Sequence, residues 1–265
     1  DGGVRFKTHA KLLPIPRRDK RTGQLQRYGH LSTGNYNARS ARLYTDLSHL
    51  TCDAAITEDM DAVFRHLSSH NRLPTLQQLV MAPFHLHSHM LERIGQAASA
   101  AAKGKDARIV LKMNALTDEV LIAALIDAGA LGVQIDLIVR GACMLPAQVP
   151  GRTENIRVRS VIGRFLEHTR VFYFAWGTHE EVYLSSADWM HRNMLRRVEL
   201  AWPVHQRKLR QRIIDECLAD YLHDDRNAWQ LQSDGRYQPP MRPSAGFGAQ
   251  NMLMKNYGGA ASARQ

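Results

Sequence analysis

Apolar residues along this chain follow two kinds of pattern, one with helical spacing and one that alternates or clusters over short segments. Helical spacing predicts helices over 53–69, 88–103 and 117–128, with Gly104 ending the second of them. Short segments rich in β-forming residues predict strands. These strands are expected over 4–16, 26–31, 108–113, 133–139, 156–162, 170–175 and 181–185.

Less regular segments lie between these elements. Residues 19–24 contain Thr-Gly and predict a hairpin turn. Residues 37–50 are expected to be partly helical, and residues 203–222 to form a basic amphipathic helix. The order strand, helix, strand over 108–139 predicts a β-α-β unit. The fold class is therefore expected to be α/β, with helices on the faces of the sheet.

The spacing of apolar residues becomes irregular around 71–83, which predicts a domain boundary there. We expect a first domain at 1–78, a second at 79–240 and a mobile, polar, Gly- and Pro-rich tail at 241–265. The chain begins with Asp1 and a segment typical of the lead-in to a strand. It is therefore expected to be a fragment that starts within a domain.

Composition and charge restrict the class of protein, its partners and its cellular compartment. Hydrophobic residues make up 44% and charged residues 23%, which is typical of a globular protein. A net charge of +10 favours a polyanionic partner, either nucleic acid, an anionic membrane surface or a phosphate chain. Three widely spaced cysteines argue against a disulfide framework or a zinc site and favour the cytoplasm. No signal peptide is visible, and the most apolar segment, 120–139, is interrupted by polar residues and is not expected to span a membrane.

A weak internal repeat carries the candidate chemistry. In each copy a histidine stands two residues before a cation and an apolar strand follows, as in His9 with Lys11 and His168 with Arg170. Residues two apart on a strand share a face, so each histidine is expected to point the same way as its cation. Two such strands related by pseudo-symmetry would bring two histidine–cation pairs to one site.

The repeat continues downstream. Residues 31–36 match 184–189, and Asp46 aligns with Glu199 at the same offset. These two acids are candidates for fixing the imidazole tautomers. A His-x-His-x-His string at 85–89 falls at a predicted junction of loop and helix, where residues two apart do not face each other, so no metal site is expected.

Longer strings resemble one known family, the polyphosphate kinases, whose fold is that of the phospholipase D superfamily. The matching strings lie at 7–11, 33–35, 41–46, 137–141, 154–157, 166–168 and 183–190. The resemblance implies two phospholipase D-like catalytic domains with mixed sheets flanked by helices, related by a pseudo-twofold axis, the first of them truncated. It implies reversible transfer of the ATP γ-phosphate to a polyphosphate chain through a phosphohistidine.

The resemblance also implies roles for particular residues. His9 falls on the family's phosphorylated nucleophile and His168 on the histidine across the site. The expected catalytic residues are His9, His168, Lys11 and Arg170. The expected contacts to ATP or the phosphate chain are Tyr44, Asp46, Arg140, His168, Arg197 and Asn35. The family uses Mg²⁺, whose ligands are expected outside this fragment.

Phosphoryl transfer suits this set of residues. The transition state is loose, with negative charge spread over the phosphoryl oxygens, so positioning and positive charge supply most of the catalysis. A neutral imidazole nitrogen is a competent nucleophile near pH 7. We therefore expect His9 to attack the γ-phosphorus while His168 acts as general acid and base or holds the transferring group.

The implied partners are ATP, ADP and inorganic polyphosphate, with a homo-oligomer of the full-length protein and no specific nucleic acid. The implied location is the cytoplasm, with peripheral association with the inner membrane left open. The chain departs from the superfamily pattern at Pro16, where an Asp usually stands, and at Arg170, which replaces a Lys. Two alternatives remain open, a phospholipase D-type phosphodiesterase or nuclease, and a non-catalytic module that binds nucleic acid or another polyanion.

Overall fold

The computed structural model describes residues 6–69 and 72–258. Sequence predictions that fall on residues 1–5, 70–71 and 259–265 lie outside the described residues. Helices are interspersed among the strands and flank the sheets, which confirms the α/β class. We call residues 6–78 the first half and residues 79–258 the second half.

The strands are between two and eight residues long. They are β1 (Lys7–Thr8), β2 (Leu12–Arg18), β3 (Leu25–Ser32), β4 (Tyr44–Thr45), β5 (Ser48–Thr51), β6 (Val80–Ala82), β7 (Ala107–Met113), β8 (Gln134–Val139), β9 (Ile156–Val161), β10 (Leu166–Glu167), β11 (Val171–Trp176), β12 (His179–Ser185), β13 (Arg197–Pro203), β14 (Ala228–Leu231) and β15 (Tyr237–Gln238). The helices are α1 (Ala54–Ser69), α2 (Leu86–Ala102), α3 (Glu119–Ala130), α4 (His191–Leu195), α5 (Arg207–Ile213), α6 (Asp220–His223) and α7 (Ala249–Gly258). A 3₁₀ turn covers Ser40–Arg42, and a π-helical segment, Ile214–Ala219, joins α5 to α6.

The second half supplies nine strands of a ten-stranded mixed sheet and the first half supplies β1; the order is β1-β13-β12-β11-β7-β8-β9-β14-β15, with β6 also paired to β13. Strands β7 and β8 are parallel and joined by α3, which confirms the predicted β-α-β unit. Asp118 caps α3 by accepting a hydrogen bond from the backbone N–H of Leu121. The unit places Asn114 just after β7 and Arg140 just after β8, and the backbone N–H of Asn114 donates to the carboxylate of Asp188.

The hydrophobic core has two layers, one on each face of this sheet. On β7, Ile109 and Leu111 pack into the layer that α2 and α3 cover, whereas Val110 packs into the layer on the other side. The second layer includes Met60 of α1 and Tyr221 of α6. Because both faces are covered, the central strands are apolar almost throughout, which explains why their sequence pattern is continuous rather than alternating.

The first half forms a smaller antiparallel sheet in the order β2-β3-β5, with β2 and β3 joined by the predicted hairpin turn. The second half repeats this order as β11-β12-β13, also antiparallel. The two halves are therefore related by pseudo-symmetry, as the sequence repeat predicted. The hairpin of the first half is longer, which accounts for the different spacing of the repeated motifs.

Two short strands cross between the halves. Strand β1 of the first half runs parallel to β13 of the second, with Thr8 opposite Val198. Strand β10 of the second half runs parallel to β4 of the first, with Glu167 opposite Thr45. This exchange lies immediately before both repeated histidines, so each of them is placed against the other half.

Several predicted segments differ in the structure; the strand expected over 4–16, for example, is interrupted at residues 9–11. Residues 37–50 contain only the 3₁₀ turn and strands β4 and β5, because the Asn37 side chain accepts hydrogen bonds from the backbone N–H groups of Arg39 and Ser40 and holds a turn. The helix expected over 203–222 begins at Arg207, since Pro203 still belongs to β13.

Part of the expected mobile tail is helix. Residues 249–258 form α7, whose first residue, Ala249, donates its backbone N–H to Asp224 at 2.8 Å. Gln250 is buried and bonded to Glu167. These buried polar contacts dock the segment against the rest of the second half.

No helix within the described part of the chain combines the length and the apolar character needed to cross a bilayer.

Candidate active site

His9 lies just after β1 and is held by the second half. Its backbone N–H donates to the carbonyl of Val198 at 2.9 Å. Its Nδ1 lies 2.9 and 3.0 Å from the two carboxylate oxygens of Glu199, which is fully buried on β13. A carboxylate accepts hydrogen bonds, so Nδ1 carries the proton and Nε2 keeps its lone pair.

Lys11 supplies the cation beside His9. Its Nζ lies 2.9 Å from Nε2 and 3.0 Å from Nδ1 of the imidazole. Burial lowers the pKa of Lys11 to about 8, although the nearby Glu199 carboxylate acts in the opposite direction. The charge of Arg170 lowers this pKa further, so the two histidine–cation pairs lie within electrostatic reach of each other.

His168 follows β10 and is held by the first half. Its Nδ1 lies 2.7 Å from Oδ1 of Asp46, and its backbone N–H donates to Oγ1 of Thr45 at 3.2 Å. The ring of Tyr44 lies 5.2 Å from the imidazole, centroid to centroid. The His168 side chain is 12% exposed, against 24% for His9, so the first histidine is the more open to a ligand.

Arg170 ties the second histidine to both halves. Its Nε and NH2 donate to the carboxylate of Asp188 at 3.2 and 2.9 Å, and NH1 donates to the carbonyl of Thr33 at 3.0 Å. NH1 also lies 3.3 Å from Nε2 of His168. Burial would raise the pKa of Asp188, but the charge and hydrogen bonds of Arg170 and the donors of Asn114 hold it below its usual range.

The acids that hold the two histidines are themselves held in matching ways. The Thr33 hydroxyl donates to Asp46 at 3.1 Å, and the Ser186 hydroxyl donates to Glu199 at 2.5 Å. Each hydroxyl also accepts the backbone N–H of the residue after the acid. The two halves therefore exchange partners around a pseudo-twofold axis, each one supplying the carboxylate for the histidine of the other.

Gly34 is required by a close approach. A Cβ at this position would lie 2.0 Å from the carboxylate carbon of Asp46, so only glycine leaves room for the acid that holds His168. Asn35 follows it and is exposed. No side-chain hydrogen bond of Asn35 occurs among the described residues, so it is not drawn into the histidine network.

Arg140 and Arg197 are the two arginines outside the histidine–cation pairs that are expected to contact phosphate. Arg140 follows β8 and precedes Gly141, whose backbone N–H donates to the carbonyl of Asn114; the backbone of Asn114 in turn contacts Asp188. Arg197 lies on β13 opposite Lys7. In the regions 6–69 and 72–258, neither guanidinium forms a salt bridge. Their charge is therefore available to an anion.

The prediction that each histidine shares one face of a strand with its cation is wrong. His9 to Lys11 lie in the break between β1 and β2, and His168 to Arg170 in the break between β10 and β11. The cations still reach the imidazoles, because the chain turns there to cross between the halves. The repeat therefore identified the correct pairs through an incorrect local geometry.

Sequence reasoning missed three buried charged residues around the site. Asp188 stands in a matched string but received no role, and the pair of Lys112 and Glu167 was not noticed. Lysine in an otherwise apolar central strand is rarely buried without a partner, and this was the signal that could have found the pair.

The remaining histidine string does not form a metal site. His87 contacts Asp118 at 3.0 Å and His89 contacts the hydroxyl of Tyr183 at 3.1 Å, so the side chains diverge. Among the residues that the structure describes, no group of three or more histidine, cysteine or acidic side chains is arranged to hold a metal ion.

Two cavities bear on the location of the chemistry. The larger, about 600 Å³, is lined by residues such as His89 and His205 and includes neither repeated histidine. The second, about 510 Å³, opens beside Tyr44 and Asp46 and reaches Tyr257 of α7. We place the candidate site at the paired histidines, because both repeated histidine–cation pairs and the exchanged strands meet there, whereas the larger cavity contains neither repeated histidine.

Comparisons with known proteins show which family the chain is similar to. Residues 79–250 match the family model of the polyphosphate kinase C-terminal domain 2, and residues 2–73 match that of the polyphosphate kinase C-terminal domain 1. A polyphosphate kinase of Burkholderia cenocepacia (strain HI2424) is 52% identical over 239 residues, which cover 89% of this chain and 35% of the relative. A polyphosphate kinase of Paraburkholderia phytofirmans (strain DSM 17436 / LMG 22146 / PsJN) is 49% identical over 258 residues, covering 97% and 38%.

A solved structure is also similar. The crystal structure of polyphosphate kinase from Porphyromonas gingivalis matches with a TM-score of 0.88 and 34% identity, covering 97% of this chain and 40% of that one. The chain thus spans between a third and two fifths of the length of these relatives.

Proposed function

Because this chain belongs to the polyphosphate kinase family, we propose that it carries the paired histidines of a phosphotransferase that passes the γ-phosphate of ATP to polyphosphate. One observation carries the proposal. Each imidazole is held at Nδ1 by a carboxylate from the other half, which leaves Nε2 as the reactive nitrogen beside a cation.

In the first step, the lone pair of Nε2 of His9 attacks the γ-phosphorus of ATP. The bond from the γ-phosphorus to the bridging oxygen breaks, and ADP leaves with that oxygen. The proton on Nδ1 stays in its hydrogen bond to Glu199, which stabilises the positive charge that the ring gains. Lys11, which donates to Nε2 in the free site, turns its hydrogen bond to a phosphoryl oxygen.

In the second step, a terminal oxygen of polyphosphate attacks the phosphohistidine, the N–P bond breaks and the chain grows by one phosphate. His168 faces the transferring group and gives or takes a proton on its oxygens. Arg170 neutralises charge beside His168. Besides the His168 ring, the nucleotide and the phosphate chain contact five further residues: Tyr44, Asp46, Arg140, Arg197 and Asn35.

Mg²⁺ is expected to accompany the nucleotide, but the residues near the histidines do not fit it. Asp46 and Glu199 already accept hydrogen bonds from imidazole and hydroxyl donors, and Asp188 is bonded to Arg170. The described portion of the chain offers no ligand cluster. We assign no residue of this chain to the metal and derive no step through it.

The remaining expectations are proposals about the whole protein. ATP, ADP and inorganic polyphosphate are its substrates and products, and the full-length protein forms a homo-oligomer in the cytoplasm. Peripheral association with the inner membrane is a further proposal, since a net charge of +10 on this chain suits an anionic surface. The division of the chain at residues 78 and 79 is likewise proposed from the sequence.

Labelling with γ-³²P-ATP tests the function in the full-length protein. His9→Ala removes the nucleophile, so transfer should fall by roughly 10³-fold or more. Wild-type protein should acquire label that is acid-labile and base-stable, as an N–P bond is, and peptide mapping should locate it on His9. The matched control is His179→Ala, a half-exposed histidine paired with Glu181 away from the site, which should label normally.

Label on serine, or retention of transfer in the His9→Ala protein, would contradict the proposal. Cleavage of a phosphodiester substrate without any labelling by ATP would favour the phospholipase D-type alternative instead.

A further inference from the structure

Glu167, the residue before His168, forms a buried polar centre that the proposed chemistry does not use. Its carboxylate receives Nζ of Lys112 at 2.7 Å, the hydroxyl of Tyr221 at 2.8 Å, Nε2 of Gln250 at 2.6 Å and the hydroxyl of Thr45 at 2.9 Å. The first three partners are fully buried and come from β7, α6 and α7. Elements distant in sequence therefore meet on one side chain directly beside the second histidine.

The ionised state of the Glu167 carboxylate determines which group donates in each of these hydrogen bonds. Burial would raise the pKa of Glu167, but the charge of Lys112 and the hydrogen bonds from Lys112, Gln250 and Tyr221 outweigh it and hold that pKa below its usual range. An ionised carboxylate only accepts, so the Thr45 hydroxyl must donate to it. The lone pairs of that hydroxyl are then turned to the backbone N–H of His168, which lies 3.2 Å away.

The other histidine lacks this arrangement. Val198 occupies the position equivalent to Thr45, and the residue opposite it, Thr8, is exposed. The backbone N–H of His9 donates to the carbonyl of Val198 instead of a hydroxyl. Valine is therefore accommodated at the equivalent position of the fold, and the polar centre is specific to His168.

We propose that Glu167 and Thr45 are positioning residues for His168, and that Gln250 makes helix α7 part of the support of the active site. Glu167 orients the Thr45 hydroxyl, the hydroxyl fixes the backbone of His168, and the adjacent Asp46 fixes its ring. A defined place for the second imidazole matters because transfer requires in-line geometry at the phosphorus. The inference deepens the proposed function and rests on it.

The test compares Thr45→Val with Thr45→Ser in the full-length protein. Valine keeps the shape but removes the hydroxyl, whereas serine keeps the hydroxyl and loses only a methyl group. Thr45→Val should lower kcat roughly tenfold with little change in the KM for ATP, and Thr45→Ser should stay within roughly twofold of wild type. Equal thermal midpoints of the two variants would separate positioning from a loss of folding.

Hydrogen exchange of the His168 backbone amide gives a readout that does not depend on activity. It should accelerate in Thr45→Val and remain protected in Thr45→Ser. Unchanged exchange or unchanged kcat in the valine variant would overturn the inference, as would an equal loss in both variants, which would indicate packing. A wild-type enzyme without transfer would contradict the proposed function, while the exchange measurement would still decide the contact.

Discussion

At the scale of single residues, the protonation of a few side chains controls the site. Glu199 and Asp46 hold Nδ1 of the two imidazoles, and the sequence repeat had already aligned these two acids as candidates for that contact. The cations differ more than the acids do. Arg170 is bonded to Asp188 in bidentate fashion, whereas Lys11 is buried beside His9 with its pKa lowered to about 8.

The pKa of Lys11 predicts an alkaline limb in the activity profile. Below about pH 8 its ammonium is charged and can stabilise the phosphoryl oxygens; as pH rises through that value the charge is lost. A plot of kcat/KM against pH reports groups of the free enzyme, so it should fall with an apparent pKa of about 8. Lys11→Arg should move this limb to higher pH, because arginine stays protonated.

The matched control is Lys7→Arg, an exposed lysine on β1, which should leave the profile unchanged. An NMR titration of the Lys11 Nζ should give the same midpoint directly. An alkaline limb that is identical in wild type and Lys11→Arg would show that another group controls it.

At the scale of elements, the sequence predicts what local pattern determines. Helix α1, α2 and α3 and the strands β7, β8, β9, β11 and β12 were all predicted close to their observed bounds. Strand β13 was missed, because its residues 197–203 combine an arginine, a buried glutamate and a proline that no local rule assigns to a strand. Its place is set by pairing with β1, β6 and β12, which lie far away in the sequence.

Helix α7 was missed for a related reason. Its sequence is polar on average. Two buried hydrogen bonds hold it in place, one between Gln250 and Glu167 and one from the Ala249 N–H to Asp224. Both partners lie outside the helix, so no window of local sequence contains the information. The same applies to 37–50, where pairing of β4 with β10 takes precedence over weak helical spacing.

The ion pair of Lys112 and Glu167 joins β7 to β10. The effects of substituting the two residues on the free energy of unfolding should therefore be strongly coupled. Both side chains are less than 5% exposed, so removing one partner leaves the other charge buried alone. Lys112→Met and Glu167→Gln should each lower the free energy of unfolding by roughly 3–5 kcal/mol. The double variant should lose clearly less than the sum, because no lone charge remains; urea unfolding of the four proteins measures the coupling.

The exposed i,i+4 pair Arg212 and Glu216 is the matched control for that cycle. Its coupling should be about 0.3–0.5 kcal/mol. Additive losses at Lys112 and Glu167, or coupling no larger than at the control pair, would mean that solvent reaches the buried pair.

At the scale of the whole molecule, the site exists only where the two halves exchange strands and carboxylates. The repeat made it possible to predict from sequence which histidines and cations belong together. It did not predict that His9 is held by Glu199, 190 residues away, or that His168 is held by Asp46, 122 residues away. Such crossed contacts follow from the pairing of β1 with β13 and of β10 with β4, which only the assembled fold determines.

Arg170 bonds to residues of both halves, and Arg170→Lys tests this role. Lysine keeps the charge but cannot bond Asp188 in bidentate fashion and reach the Thr33 carbonyl at once. At pH 7 the free energy of unfolding, followed through the buried tryptophans, should fall by roughly 1–3 kcal/mol, with a parallel loss of transfer. The exposed Arg192→Lys serves as control and should change neither quantity.

The pH dependence gives this last prediction its sign. Arg170 and Asn114 hold the pKa of Asp188 below its unfolded value, so the resulting stability is present above that unfolded value and is lost as pH falls through the folded one. In the lysine variant the pKa of Asp188 rises toward the ordinary value, about 4. The difference in the free energy of unfolding between wild type and variant should therefore be largest at pH 7 and should shrink below about pH 4. A gap that stays constant across this range would assign the loss to packing of the guanidinium rather than to the pairing that holds the two halves together.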